Sequence, residues 1–260
     1  MSAGSALLLA VAGVASGLAG SIAGLASLFS YPALLAAGLP PVAANVTNTV
    51  ALFSNTLGTA AGSREELRGQ RRRLGRLSLL SALGGSAGAA LLLGTPSSAF
   101  ERVVPWLIAL GSVLILVREP LRRVTEGRMA DDASADGRGD WRTALPLTCA
   151  VVLVGLYGGY FGAASGVLML AVLSLSADEP LRVTNAVKNI VTGAANLVAA
   201  IAYVFLAPVD WWAAVALGLG CLAGSRMGPA VVRRLPEKPL RIAIALAGLG
   251  LAVSLWYGTG

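Results

Sequence analysis

Apolar stretches long enough to cross or half-cross a lipid bilayer follow one another along almost the whole chain. They run over about 5–22, 24–38, 42–62, 76–94 and 99–117, and again over about 143–161, 163–177, 183–206, 211–228 and 239–257. In hydrocarbon every backbone N–H and C=O must find a partner within the protein, so such stretches are stable only as helices or as a closed barrel, and these runs have helical length. Composition agrees. Hydrophobic residues make up 56% of the chain and charged residues 13%, whereas a soluble domain carries roughly 25% charged residues to solvate its surface. With 260 residues, ten such runs leave almost nothing for a domain outside the membrane. The expected fold is all-α: a polytopic integral membrane protein of about ten helical segments.

Several function classes drop out at once. The sequence contains no histidine, which removes Ser/His/Asp and Cys/His triads, HExxH zinc sites and imidazole proton relays. No phosphate-binding GxxxxGK[ST] loop is present and no GxGxxG follows a strand, so nucleotide-driven pumping by this chain is not expected. Cys149 and Cys221 lie far apart in apolar runs and read as small buried hydrophobes. The net charge of +7 would suit nucleic acid, but the basic residues sit in short loops between apolar runs, where membrane topology accounts for them. Neither an enzyme nor a nucleic-acid binder is expected, and no cofactor or metal.

Lysine and arginine are retained on the cytoplasmic side of a membrane. Arg64, Arg68, Arg71, Arg72, Arg73 and Arg76 cluster after the third run, and Arg118, Arg122, Arg123, Arg128, Arg138 and Arg142 after the fifth. Arg226, Arg233, Arg234, Lys238 and Arg241 follow the ninth. Placing these groups and Arg182 inside leaves only Arg102 and Lys188 elsewhere, and sends the connections at 95–98 and 207–210 outside. The loop after the third run is then inside and its counterpart in the second half outside. Two five-segment repeats of opposite orientation are predicted, residues 1–117 and 143–260, joined by a polar cytoplasmic linker over 118–142. The second run of each set is only about 15 residues long and is bordered by glycine, serine and proline, so it is expected to be broken or re-entrant. Both termini then face outward in the plasma membrane, and the apolar start at Ser5 to Leu9 lacks the basic flank of a cleaved signal peptide.

The halves also echo each other in order. Ser21-Ile22-Ala23-Gly24-Leu25-Ala26-Ser27 aligns with Gly159-Tyr160-Phe161-Gly162-Ala163-Ala164-Ser165, and Pro40 to Asn48 aligns with Pro180 to Lys188. On these motifs the chain resembles the sulfite exporter TauE/SafE family of membrane transporters. Its members carry, twice over, a GxGG-like break, a short apolar stretch and a Pro-x-x-Ala-x-x-(Thr/Asn) helix start. The first copy here is Ala19-Gly20-Ser21-Ile22-Ala23-Gly24 through Tyr31-Pro32 to Pro41-Val42-Ala43-Ala44-Asn45-Val46-Thr47-Asn48. The second runs from Gly158 through Gly166 to Pro180-Leu181-Arg182-Val183-Thr184-Asn185. Alanine or serine replaces part of each glycine run, and Leu170 stands where the second copy often has proline. The resemblance covers both halves and implies gradient-driven movement of small sulfur-containing or organic anions.

Residues suited to an anion can be read beside that resemblance. Asn185, Asn189, Thr192 and Asn196 follow one helical face, and Asn45, Asn48, Asn55 or Thr56, and Thr59 form a looser stripe in the first half. An unpaired amide costs several kcal/mol in hydrocarbon, so these faces turn toward protein, water or substrate: either helix-to-helix hydrogen bonds or a polar pathway. Lys188 is an ammonium within a span, with no carboxylate of the hydrophobic runs at hand to neutralise it. It marks an anion route, or it snorkels toward the side bearing Arg182. Gly24, Ser27, Gly162, Ser165 and Gly166 sit where helices restart inside the membrane. There, unpaired N–H groups and the positive end of the helix dipole favour an anion, while the alternative for such residues is tight helix packing. The candidate substrate site is therefore Lys188, Asn45, Asn48, Thr184, Asn185 and Asn189 with these five break residues. The expected activity is alternating-access transport of sulfite, a sulfonate or a related anion, an anion channel with the same electropositive midplane being the alternative. The expected partners are the small anion and the bilayer, with a homodimer left open.

Overall fold

The computed structural model describes residues 3–110, 113, 141–174 and 180–232. The tenth apolar run at 239–257 and nearly all of the 118–142 linker lie outside the described residues. Within them the fold is all-helical, with nine helices and no strand: α1 (Ala3–Ala23), α2 (Ser27–Ala36), α3 (Pro41–Gly62), α4 (Arg71–Gly94), α5 (97–110), α6 (Trp141–Tyr160), α7 (Ser165–Ser174), α8 (Leu181–Leu206) and α9 (Trp211–Val232). Among the described residues three helical segments are long and apolar enough to cross a membrane by length and composition: Gly4–Ile22, Arg71–Gly94 and Arg182–Leu206. By contrast α2 and α7 have 10 residues each. At 1.5 Å per residue that is ~15 Å, half the ~30 Å of a hydrocarbon core, so neither crosses it alone.

Helix boundaries follow local chemistry. Pro40 and Pro41 open α3 and Pro180 precedes α8; proline lacks the N–H that a first helical turn leaves unpaired anyway. The end of α2 is closed by Gly38 at φ +93°. Its N–H donates to Leu35 O and that of Leu39 donates to Leu34 O, a pairing that satisfies two terminal carbonyls. Asp210 caps α9 by accepting the Ala213 N–H at 2.9 Å, and its own N–H donates to the Thr47 hydroxyl on α3. One boundary departs from hydropathy: α4 begins at Arg71, five residues before the apolar run expected from 76, because arginine is a good helix former and the helix extends past the lipid-compatible segment.

The most extensive contacts pair α1 with α9 and α4 with α6. Each pair joins a helix of the N-terminal set to one of the C-terminal set, and both run parallel along glycine seams. A Cβ on Gly17 would lie 2.1 Å from Cys221 O, and one on Gly224 2.1 Å from Val14 O. In the other pair a Cβ on Gly84 would lie 2.1 Å from Val152 O and one on Gly88 2.0 Å from Leu156 O. Lipid tails are as apolar as leucine, so burial in lipid does not drive helices together; small residues do, by letting backbones approach. The long helices α3 and α8 pack against each other, with α9 also on α3 and α4 also on α8. Outward faces carry exposed Leu79, Leu83, Leu153, Ile201 and Leu219, and Trp211 and Trp212 stand exposed at the start of α9.

Candidate functional site

The two helix breaks meet in the interior. At the first, α1 stops at Ala23 and the chain turns through Gly24 at φ +75° before α2 begins at Ser27. At the second, α6 stops at Tyr160, and Gly162 at φ +78° and Ala164 at φ +58° turn the chain into α7. A Cβ on Gly24 would come within 2.6 Å of Gly166 Cα, and one on Gly166 within 2.6 Å of Gly24 Cα. Backbone touches backbone here.

A helix that ends within protein leaves its last carbonyls without intrahelical partners. Asparagines from the long helices supply them. Asn45 Nδ2 on α3 donates to Tyr160 O at 2.9 Å, while Asn185 and Asn189 on α8 both donate to Ser21 O, at 3.1 and 3.2 Å. Each amide therefore secures the break of the opposite helix set. The Tyr157 hydroxyl donates to Ala163 O at 2.7 Å and the Tyr203 hydroxyl donates to Gly159 O, which fixes the second break further.

Between the breaks and the crossing of α3 with α8 lies a cavity of about 40 Å³. A water needs on the order of 10–15 Å³ by this measure, so the space suits a few waters or a small oxyanion better than an extended organic molecule. Six of the sequence-predicted residues line it: Gly24, Ser27, Gly162, Ser165, Gly166 and Asn189. Asn55 and Thr56 on α3 and Thr192 and Asn196 on α8 complete a predominantly polar wall. Ser27 and Ser165 are the first residues of α2 and α7, so both short helices present their N-terminal ends to the cavity. No side chain caps α2, whose N-cap position is Ala26. In the first turns Leu28 and Phe29 N–H donate to Leu25 O and Ala26 O, and Ser165 and Val167 N–H donate to Gly162 O and Ala164 O, so it is the positive ends of two helix dipoles that make this an anion-favouring surface.

The other predicted residues lie elsewhere. Asn45, Asn48, Thr184 and Lys188 are buried and Asn185 is half-buried, but none of the five lines the cavity. Lys188 precedes Asn189 by one residue, ~100° around the helix from the face formed by Asn189, Thr192, Gly193 and Asn196. Its exposure is 0%, so the side chain stays within the helix bundle and does not snorkel to the surface. Reasoning from the sequence missed Gly20, Ala26, Leu52 and Gly193 as lining residues. A Cβ on Gly193 would lie 2.3 Å from Thr56 Cγ2; a glycine set in the polar stripe was the available signal.

Apolar clusters pack around the breaks. One holds an aromatic group in which Tyr31 meets Phe161 edge-on at 5.2 Å and Phe100 lies 5.9 Å from Tyr160 and 6.2 Å from Phe161. Another joins Met169 and Leu173 of α7 to Val187 and Val191 of α8, Val151 of α6 and Leu77 of α4. Among the described residues, no group of three or more Cys, Asp or Glu is placed to hold a metal ion.

Sequence comparison with known proteins gives the family. The chain is 26% identical over 248 residues to the probable membrane transporter protein ORF9 of Sinorhizobium sp., an alignment covering 94% of this chain and 90% of that protein. It is 26% identical over 250 residues to the probable membrane transporter protein YfcA of Escherichia coli (strain K12), covering 93% and 86%. With the probable membrane transporter protein YunE of Bacillus subtilis (strain 168) it shares 26% over 152 residues, 56% of this chain and 55% of that one. No solved structure matches the chain. The sequence profile described as sulfite exporter TauE/SafE matches residues 8–255. The protein is thus a multi-pass membrane transporter, not an enzyme, and it belongs to the sulfite exporter TauE/SafE family.

Proposed function

We propose that this transporter moves a small anion, sulfite or a small sulfonate, across the plasma membrane by alternating access, holding it in the cavity between the N-terminal ends of α2 and α7. One observation carries the reading: two short helices, one from each set, begin at the same small polar cavity, and α2 has no side-chain cap. An anion's charge would meet the positive ends of both helix dipoles, while Ser27, Asn55, Thr56, Ser165, Asn189 and Asn196 offer donors. Buried Lys188, a residue away from Asn189, adds positive potential without touching the anion.

Residues 1–117 and 143–260 act in this reading as two inverted repeats, with both termini outside and the 118–142 linker in the cytoplasm. The reciprocal pairing of α1 with α9 and α4 with α6 supports that arrangement, as does the matching position of the two breaks. Rocking of the α1–α9 pair against the α4–α6 pair about the Gly24–Gly166 contact would expose the cavity to each side in turn while keeping both glycine seams intact. A cavity of only about 40 Å³ favours such a carrier over an open anion channel.

The test is flux in proteoliposomes with a panel of sulfite, thiosulfate, sulfoacetate, taurine and simple carboxylates. Saturable uptake accelerated by the same anion on the opposite side is expected for at least one sulfur oxyanion. Conductive, non-saturating flux, or no flux of any panel anion from folded protein, refutes the proposal.

A further inference from the structure

A second cavity, of about 320 Å³, lies at the opposite end of the α4–α6 seam from the glycines. Its origin is steric. The two helices run in contact where Ser81 meets Gly155 and where Gly84 and Gly88 meet Val152 and Leu156. Toward their N-terminal ends the small residues give way to Leu77 and Leu80 on α4 and Leu147 on α6, and the helices splay into a crevice. Arg72, Arg73 and Arg76 line it at the end where α4 begins, Thr148 completes it, and no acidic residue is among the described residues that line it.

Among the described residues the electrostatics of that end are one-sided. Parallel packing brings the N-termini of α4 and α6 to the same end of the bundle, so the positive ends of two helix dipoles lie together. Neither helix has an acidic residue in its first turn, and Gln70 at the α4 N-cap makes no side-chain cap hydrogen bond. Cations at a helix N-terminus are unfavourable, yet three arginines line the crevice there. The arrangement calls for an anion. The leucine floor adds a second requirement, for hydrocarbon, and exposed Leu79 and Leu145 on adjoining faces show that lipid-facing surface lies close by. By the retention of arginine on the cytoplasmic side, this end meets the leaflet that carries anionic lipid.

We propose that the crevice between the N-terminal ends of α4 and α6 is a binding site for an anionic phospholipid, with the phosphate on Arg72, Arg73 and Arg76 and the first methylenes of an acyl chain over Leu77, Leu80 and Leu147. Such a lipid touches one helix from each set. The site is distinct from the transport cavity, and the proposal does not depend on which anion is carried.

The experiment is native mass spectrometry of the full chain, equilibrated in mild detergent with equimolar phosphatidylglycerol and phosphatidylcholine. One phosphatidylglycerol per chain is expected to be retained preferentially. Arg72→Gln and Arg76→Gln should each weaken retention about fivefold, from ~1 kcal/mol per basic residue near an anionic headgroup. Leu147→Trp, or independently Leu80→Trp, fills the crevice without changing charge and should also release the lipid; Arg68→Gln, in the preceding loop and outside the lining, should not. Melting of each variant in phosphatidylcholine alone identifies any that fails to fold, and the remaining variants then decide. Phosphatidylglycerol retention unchanged in both arginine variants, or in the crevice-filling variants, overturns the proposal. So does displacement of phosphatidylglycerol by millimolar inorganic phosphate or glycerol phosphate, which would make the crevice a site for free oxyanions.

Discussion

Replacing Gly24 with alanine tests whether contact between the two breaks is what holds the site. The new methyl carbon would lie 2.6 Å from Gly166 Cα, 2.7 Å from Gly166 C and 3.1 Å from Val167 N, all backbone atoms that no rotamer change can move aside. Two costs combine. A non-glycine residue in the left-handed region costs roughly 1–2 kcal/mol, and forcing an extra methyl into packed structure costs typically ~1–3 kcal/mol, so Gly24→Ala should destabilise by about 2–5 kcal/mol. Other glycines separate the two terms. Gly38 has φ +93° with nothing within 4 Å of a Cβ, so Gly38→Ala should show only the backbone cost, ~1–2 kcal/mol. Gly166 is not among the positive-φ residues but meets the same contact from the other side, so Gly166→Ala should show only the packing cost, ~1–3 kcal/mol. The assay is denaturant unfolding in mixed micelles together with anion counterflow in proteoliposomes. Gly38→Ala should keep its counterflow, while Gly24→Ala and Gly166→Ala should lose most of theirs by prising apart the helix ends that line the cavity. If Gly24→Ala proves no less stable than Gly38→Ala and transports normally, the breaks are not in the described contact.

Two further predictions follow from particular side chains. Asn45→Leu leaves Tyr160 O without the amide donor, which should cost about 1–3 kcal/mol; Asn185→Leu should cost less, because Asn189 still donates to Ser21 O. Thermal unfolding in detergent gives the ranking, and a milder effect at Asn45 would mean that these amides do not secure the breaks. Lys188→Met removes a buried ammonium and keeps most of its volume; the expected result is an intact fold with a higher half-saturation concentration for the transported anion, and unchanged affinity would remove Lys188 from the site's electrostatics.

Much of the helix architecture was legible along the chain because bilayer thickness imposes a length on every apolar segment. The short second run of each set did correspond to helices too short to span, α2 and α7, and Gly24 and Gly162 did mark the turns before them. Ser27, Ser165 and Gly166 were recognisable as cavity residues for the same local reason, since a helix restart places its first turn at the break. The asparagines were harder. A stripe of amides on one helical face is compatible equally with a pathway and with helix-to-helix hydrogen bonds, and both uses occur: Asn189 lines the cavity and also donates to Ser21 O, while Asn45 and Asn185 hold break carbonyls away from it.

Local chemistry by itself set the elements: apolar length made helices, proline opened them, left-handed glycine turned them, and arginine marked one end of the bundle. Partner choice was decided only in three dimensions. That α1 lies along α9 and α4 along α6 depends on glycines more than 60 residues apart meeting backbone to backbone, and no periodicity within one helix encodes which other helix offers the complementary seam. The same holds for Lys188, whose position in sequence allowed either a reach to the surface or full burial. The close packing of α8 with its neighbours chose burial, because a side chain surrounded by protein has no path along its own stem to water.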